Sequence, residues 1–321
     1  MNPPNSVNAR ATVIVPTLNA GHCLRRLLSS VFSQKNVDVD EVVVVDSMST
    51  DATYRIAGEF EKTRVVPISN FTHGRARNLG VSEASSEFVA FLSQDALPDG
   101  ENWLERLLAP FERGAVAATY SRQVPWPEAN PMERFFLKTR FPPGPAVSRR
   151  REATEPLTLE QVFLSNVSSA FRRAILLEYP FDEDIIMSED QQVSRDLINA
   201  GFEVVYQPSS VVIHSHNYTM AGAFRRYFDS VYSLRRLFAA HSLKTSVSMG
   251  ASYFFAEMRY MCLNYPLWLP RWALYNLFKV GGSLAAHAAD YMPVGLARLC
   301  SQHSYYWQKP GCAARKKSSA H

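Results

Sequence analysis

"EVVVVD", residues 41–46, decides the fold. Four valines stand between two acids, with nothing polar alternating among them. A strand with one face in water alternates apolar and polar residues. An unbroken run predicts a strand covered on both faces, as in a parallel sheet between helix layers. Upstream, "ATVIVP" (11–16) is a similar run, and Leu24, Leu27, Leu28, Val31 and Phe32 follow it at helical spacing. Downstream, "SMSTDATYRIAGEF" offers Ser and Thr as caps before a helix. "TRVVPI" is a third strand, "ARNLGVSEA" a helix and "SEFVAFLS" a fourth strand. Strand and helix alternate, which predicts βαβ units with right-handed crossovers.

The chain has 321 residues, 46% of them hydrophobic, enough for one large domain with additions or for two. We expect a disordered N-terminus over 1–10, an α/β domain over 11–220, a helical region over 221–308 and a basic tail over 309–321. Within the α/β domain, 125–156 holds seven of the 19 prolines and "SRRR" at 148–151, the composition of a mobile loop or insertion. After it comes "SEDQQVSRDLINAGFEVVYQP", read as an acidic turn, an amphipathic helix, a stop at Gly201 and a strand. From 221 onward, Phe224, Tyr227, Phe228, Val231, Leu234 and Phe238 make one helical face, with Arg225, Arg226, Arg235 and Arg236 off it.

The net charge of +4 is too weak to argue for nucleic acid, and the basic residues come in pairs, not one stripe. The four cysteines lack metal-ligand spacing, which suits a reducing compartment. "MNPPNSVNAR" has no apolar core for a secretory signal. The best candidate, the uncharged run Tyr260–Pro270, is too short and proline-broken to span a bilayer. A cytoplasmic protein is expected.

Several polar residues stand at the ends of the expected strands, where open α/β sheets bind ligands. They are Thr17 and Asn19 after the first, Asp46 after the second and Asp95 in "FVAFLSQDALP" after the fourth. Asp46 is also a ready turn cap, and Asp95 a turn acid before Pro98. Neither a G-x-G-x-x-G after the first strand nor a P-loop is present, which argues against a dinucleotide cofactor. "FTHGRARNLG" (71–80) puts Arg75 and Arg77 at a helix start, suited to a phosphate group or to a solvated basic turn. Glu189 and Asp190 precede a helix, where acids complement the dipole or one serves as general base, being ionised at pH 7 with an ordinary pKa of about 3.9. His214 and His216 leave a strand with side chains on one side. Such a pair becomes a metal site if an acid such as Asp95 joins it.

In this order, "VIVPTLN", "VVVVDSMSTD", "ARNLG" before "FLSQDA", and the late "ED" followed by Gln191, Gln192 and Arg195 resemble the inverting family 2 of nucleotide-sugar glycosyltransferases. The resemblance covers 11–218 and implies the GT-A fold: Rossmann-like α/β, a mostly parallel sheet flanked by helices, here with a helical, membrane-associating C-terminal extension. "FTHGRARNLG" and "FLSQDALP" together look most like bacterial rhamnosyltransferases, which build O-antigen and related polysaccharides from dTDP-L-rhamnose.

The resemblance also implies roles for single residues. By it, Asp46 accepts the N3–H of the base, Pro16 to Asn19 line the nucleotide, and Arg75, Arg77 and Gln94 serve the donor. It implies that Asp95 holds a divalent cation, Mg²⁺ or Mn²⁺, with His214 and His216 as further ligands. Asp190 is by the same resemblance the catalytic base, with Glu189, Gln191, Gln192 and Arg195 around it and the acceptor. The family commonly carries Asp-x-Asp where this chain has Ser93-Gln94-Asp95, so the first acid is replaced. The implied acceptor is a glycan on a polyprenyl diphosphate, and the membrane surface is a candidate partner through the arginine-flanked helix after 221. The alternatives are transfer from another dTDP- or UDP-sugar, and a non-catalytic scaffold that binds a nucleotide sugar.

Overall fold

The computed structural model describes residues 10–152, 157–238 and 243–308, with side chains of 243–249 left aside. The expectations for 1–9 and for the tail over 309–321 lie outside the described residues. The chain forms two compact units: one of residues 1–128, 137–184 and 189–215, the other of 129–136, 185–188 and 216–321. The division therefore falls at His216, not at 221, and two short upstream segments join the helical unit.

The first unit is built on one sheet. Its strands are β1 (Arg10–Thr17), β2 (Asp38–Asp46), β3 (Thr63–Pro67), β4 (Phe88–Leu92), β5 (Leu97–Pro98), β6 (Val116–Val124), β7 (Val147–Arg149), β8 (Ser168–Arg172) and β9 (Glu203–Ile213), in the order β3-β2-β1-β4-β8-β6-β9-β5, with β7 also on β9. The helices up to this point in the chain are α1 (Leu24–Phe32), α2 (Thr53–Ala57), α3 (His73–Glu83), α4 (Trp103–Leu108), α5 (Pro131–Arg140), α6 (Arg173–Glu178) and α7 (Glu189–Asn199). β3, β2, β1 and β4 are parallel, as the valine run requires. Val42 to Val45 are all fully buried, so both faces of β2 are covered. Beyond β4 the ladder is mixed: β8 runs antiparallel to β4 and β6, while β6 and β9 are parallel.

The chain turns one way from β1 to β2 and the other way to β4. The switch point lies between β1 and β4, and the crevice outside their carboxyl ends is where such sheets bind ligands. Thr17 and Asp46 are register partners at that edge, and Ser93-Gln94-Asp95 leaves β4 beside them.

Two local expectations change. α2 is only five residues long, and its turn is tied by Asp51: Oδ2 accepts from Gly21 N at 2.8 Å and Oδ1 from Thr53 N at 3.0 Å. The stretch 125–156 is no continuous loop, because it contains α5 and β7. Pro131 is the first residue of α5, where its missing N–H costs nothing, and Asn130 Oδ1 accepts from Glu133 N at 2.9 Å. Proline density marked a helix start there.

The second unit contains α8 (Met220–Leu237), α9 (Leu243–Asn264), α10 (Leu269–His287) and α11 (Val294–Cys300). α8 packs against α10 within this unit. Part of its apolar face packs inward: Phe228 and Val231 are buried, Phe224, Tyr227, Leu234 and Phe238 are partly so, and Tyr232 packs near Tyr306 and Trp307. Gly282 of α10 lets the two backbones meet, since a Cβ there would lie 2.2 Å from Phe224 O. The arginines are engaged locally: Arg235 donates to Ala286 O at 2.8 Å and Arg236 to the Tyr232 hydroxyl at 3.0 Å. Among the described residues, no helix is long and apolar enough to cross a membrane.

Candidate active site

The β1 and β4 exits are held together by one side chain. Gln94 Oε1 accepts from Leu18 N at 2.8 Å, and Gln94 Nε2 donates to Leu18 O at 3.2 Å. Only a neutral amide offers a donor and an acceptor side by side; a carboxylate would place an acceptor against the Leu18 carbonyl. Gln94, the middle residue of the Ser93-Gln94-Asp95 triplet, is therefore a backbone clamp.

Asp46 anchors the neighbouring turn. Thr17 Oγ1 donates to its Oδ2 at 2.8 Å, Ser49 Oγ to Oδ2 at 2.6 Å and Ser49 N to Oδ1 at 2.7 Å. Three of its roughly four lone-pair sites are filled, and no part of the residue is exposed. Tyr54 also interacts with it: partial burial, then the Asp46 charge, push the phenol up from its ordinary value. Asn19 takes a left-handed φ of 51°, its N–H donating to Ser49 Oγ at 2.7 Å and its Oδ1 accepting from Thr50 N at 3.0 Å. Pro16 to Asn19 thus form one hydrogen-bonded rim with the β2 exit.

Asp95 meets the end of β9. His214 Nε2 lies 3.6 Å from Asp95 Oδ1. His216, two residues further on, is the first residue of the chain's return to the helical unit. The buried His214 ring is oriented from behind: Nδ1 is 3.0 Å from Gln123 Oε1, while Gln123 Nε2 donates to Ser165 Oγ at 2.9 Å. That chain makes Gln123 Oε1 an acceptor, puts the imidazole proton on Nδ1 and leaves the Nε2 lone pair toward Asp95. A carboxylate and an imidazole nitrogen facing each other fit a divalent cation, with N and O donors that suit Mn²⁺ well.

α3 and α7 position the carboxylate pair. Gly80 sits on the sheet, where a Cβ would be 2.4 Å from Ile14 Cγ2. Asn78 grips the Phe181 peptide, donating from Nδ2 to Phe181 O at 2.8 Å and accepting at Oδ1 from Phe181 N at 3.0 Å. Arg77 does not face the crevice as a phosphate ligand. It is buried, its Nη1 lies 3.0 Å from Glu189 Oε1, and it also donates to His73 O at 3.1 Å. Its position four residues inside α3 turns it toward α7. Arg75 is exposed on the first turn of α3, which Thr72 caps by accepting Arg75 N at 3.1 Å.

Glu189 and Asp190 open α7 with opposite electrostatics. Burial alone would raise Glu189, but Arg77 and then His73 hold it below its ordinary value. Asp190 is pushed up to about 7 by desolvation and then by the neighbouring Glu189 charge. Asn166 N approaches its Oδ2 at 3.4 Å and Gln191 N donates to Oδ1 at 2.9 Å. Two adjacent acids whose environments drive them apart are how one site separates a fixed charge from a proton acceptor. Gln192 and Arg195 are engaged in the frame: Gln192 Oε1 accepts from Asp182 N at 2.8 Å, and Arg195 pairs with Asp196 at 2.9 Å. Gln123, Ser165, Ser49 and Asn166 escaped the sequence reading, because each bonds to a residue 24 to 91 positions away.

The Glycosyl transferase family 2 model matches residues 12–179. The chain belongs to glycosyl transferase family 2. It is 31% identical over 300 residues to the O-antigen chain rhamnosyltransferase WbaN of Salmonella anatum, covering 92% of this chain and 95% of that protein. It is 30% identical over 303 residues to the O-antigen chain rhamnosyltransferase RfbN of Salmonella typhimurium, covering 93% and 96%. Among solved structures, the mannosyltransferase PcManGT of Pyrobaculum calidifontis, in complex with GDP-Man and Mn²⁺, superposes with a TM-score of 0.56 at 20% identity, covering 99% of this chain and 90% of that one. Staphylococcus aureus TarS with UDP-GlcNAc gives 0.52 at 18%, covering 92% and 89%. The fold is GT-A, and the family 2 chain is a glycosyltransferase.

Proposed function

We propose that this glycosyltransferase moves L-rhamnose from dTDP-L-rhamnose to a hydroxyl of a lipid-linked glycan in O-antigen synthesis. It would do so at the cytoplasmic face of the membrane and invert the anomeric carbon. Relatives named as O-antigen rhamnosyltransferases, aligned over more than nine-tenths of both chains, support the sugar and the pathway. The split pair Glu189 and Asp190 carries the mechanism.

In this reading the acceptor oxygen attacks the anomeric carbon, forming the new C–O bond as the bond to the donor phosphate breaks. Asp190 Oδ2 takes the acceptor proton, and dTDP leaves. A base titrating near 7 is both ionised and worth protonating at neutral pH. Glu189 stays ionised on Arg77 and keeps the Asp190 proton affinity high. Asp95 and His214 would hold a divalent cation, which when bound offsets the charge growing on the leaving diphosphate. Arg75, exposed at the start of α3, adds to that charge compensation. The Leu18 and Asn19 peptides line the nucleotide, and Asp46 accepts the thymine N3–H where Tyr54 now interacts.

Thermal unfolding with dTDP, UDP and GDP, each with and without Mn²⁺ or Mg²⁺, tests the donor class. A ligand at 100 times its Kd stabilises by about 2.7 kcal/mol. The largest shift is expected with dTDP plus cation, followed by transfer from dTDP-rhamnose. A larger shift with UDP or GDP would replace the donor, and no shift with any nucleotide would remove the reading.

A further inference from the structure

α10 is apolar on two opposite sides. Trp272, Tyr275, Gly282 and Ala286 are buried on one. Leu274, Leu277, Val280 and Leu284 lie about 120° or more around the helix and are 46%, 65%, 52% and 51% exposed. The exposed row is followed in sequence by Leu296 and Leu299 of α11, at 45% and 65%. A soluble helix normally turns a polar face to water. Here a 19-residue helix, about 28 Å long, keeps leucine and valine there. It is too polar on its inner side to cross a membrane, since buried Lys279 and Asn276 sit there.

Charge says what covers this face. From residue 258 to the end the sequence has eight Lys and Arg and one acid, Asp290. Buried Lys279 is paired with Glu257 at 3.7 Å; counted from Glu257 the segment carries +6 and the remainder −2, with four of the cations (Lys309, Arg315, Lys316 and Lys317) in the sequence outside the described residues. Arg259, Arg271 and Arg298 are exposed in that segment, while Asp290 is already paired with Arg235 at 3.6 Å. An apolar strip within a strongly basic segment is the composition of a helix lying in the headgroup region of an anionic bilayer.

We infer that the outer face of α10, with Leu296 and Leu299 of α11, docks this protein on an anionic lipid surface. The inference is independent of which sugar is transferred, and it assigns the membrane contact to a helix other than the arginine-flanked α8. The acidic remainder would keep the rest of the chain off the same surface.

Flotation of the full chain with vesicles tests it, using phosphatidylcholine alone or with phosphatidylglycerol. The wild type should float with the anionic vesicles, less so at high salt, and only weakly with the neutral ones. Leu277→Glu with Leu284→Glu should lower the bound fraction about tenfold or more. Because both side chains are exposed, its thermal unfolding and its nucleotide binding should match wild type. The neutral pair Leu277→Ser with Leu284→Ser should give an intermediate loss. Wild type that floats with neither vesicle, or a Glu variant that floats like wild type, overturns the assignment. So does a wild-type dimer that the Glu variant dissociates, since a second copy would then cover the face. Retained nucleotide binding in the variant separates either failure from a failure of the proposed transfer reaction.

Discussion

Gln94 bonds to both polar groups of the Leu18 residue, closing the gap between the exits of β4 and β1 with a neutral side chain. Gln94→Glu removes the donor to Leu18 O and adds an anion next to Asp95. The two effects have opposite signs on two ligands. Nucleotide affinity should fall about tenfold, the worth of one or two hydrogen bonds. Mn²⁺ affinity should rise, because a second carboxylate joins the first. Calorimetric titration of each ligand checks both, and a change of the same sign in both would refute the clamp.

Asp190→Asn should lower kcat by about 10² to 10⁴, the usual contribution of a positioned base, and leave donor binding nearly intact. Single-turnover rates beside nucleotide titration separate the two.

If Asp190 is the base, as proposed, the rate of the wild type should rise with pH through about 7, where its carboxyl ionises. Glu189→Gln removes the negative neighbour that helps raise Asp190, so the acid limb of the pH–rate profile should move to lower pH. Stability runs the other way. A carboxyl raised in the folded state binds its proton more tightly there than in the unfolded chain. Ionising it between about 4 and 7 therefore costs stability, and Asp190→Asn should flatten that slope in pH-dependent denaturation.

Gln123→Leu should weaken Mn²⁺ binding about 10- to 100-fold without touching a ligand atom, because the His214 ring loses the partner that sets its tautomer. A paramagnetic titration of free Mn²⁺ reads this directly, and unchanged affinity would show that His214 does not bind the ion.

Gly80→Ala should destabilise the protein by about 1–3 kcal/mol, the cost of forcing a methyl against Ile14 at the junction of α3 and the sheet. Denaturant unfolding measures it.

Strand and helix order was legible because the signals are local: four valines for a strand closed on both faces, periodic leucines for α1, Gly201 for the end of α7. Gly201 does take a left-handed φ of 92°. The antiparallel entry of β8 between β4 and β6 was not legible, since strand direction depends on partners far along the chain. In the candidate site, residue identity was readable and residue allegiance was not. Arg77 carries the charge of a phosphate ligand, but its helical position aims it at Glu189. The aromatic face of α8 has the right pattern for an interface, and Gly282 is what lets α10 approach its backbone at Phe224.

The ARNLG segment is the most recognisable stretch of the chain, and its contacts are with the protein itself. Gly80 seats α3 on β1, Asn78 grips Phe181, and Arg77 reaches Glu189. A stretch occupied in this way can be shared by enzymes that transfer different sugars. It marks the catalytic chassis and is blind to the cargo. A library built to change the donor would leave 73–83 alone and vary Leu18, Asn19, Ser49 and Tyr54 around the rim.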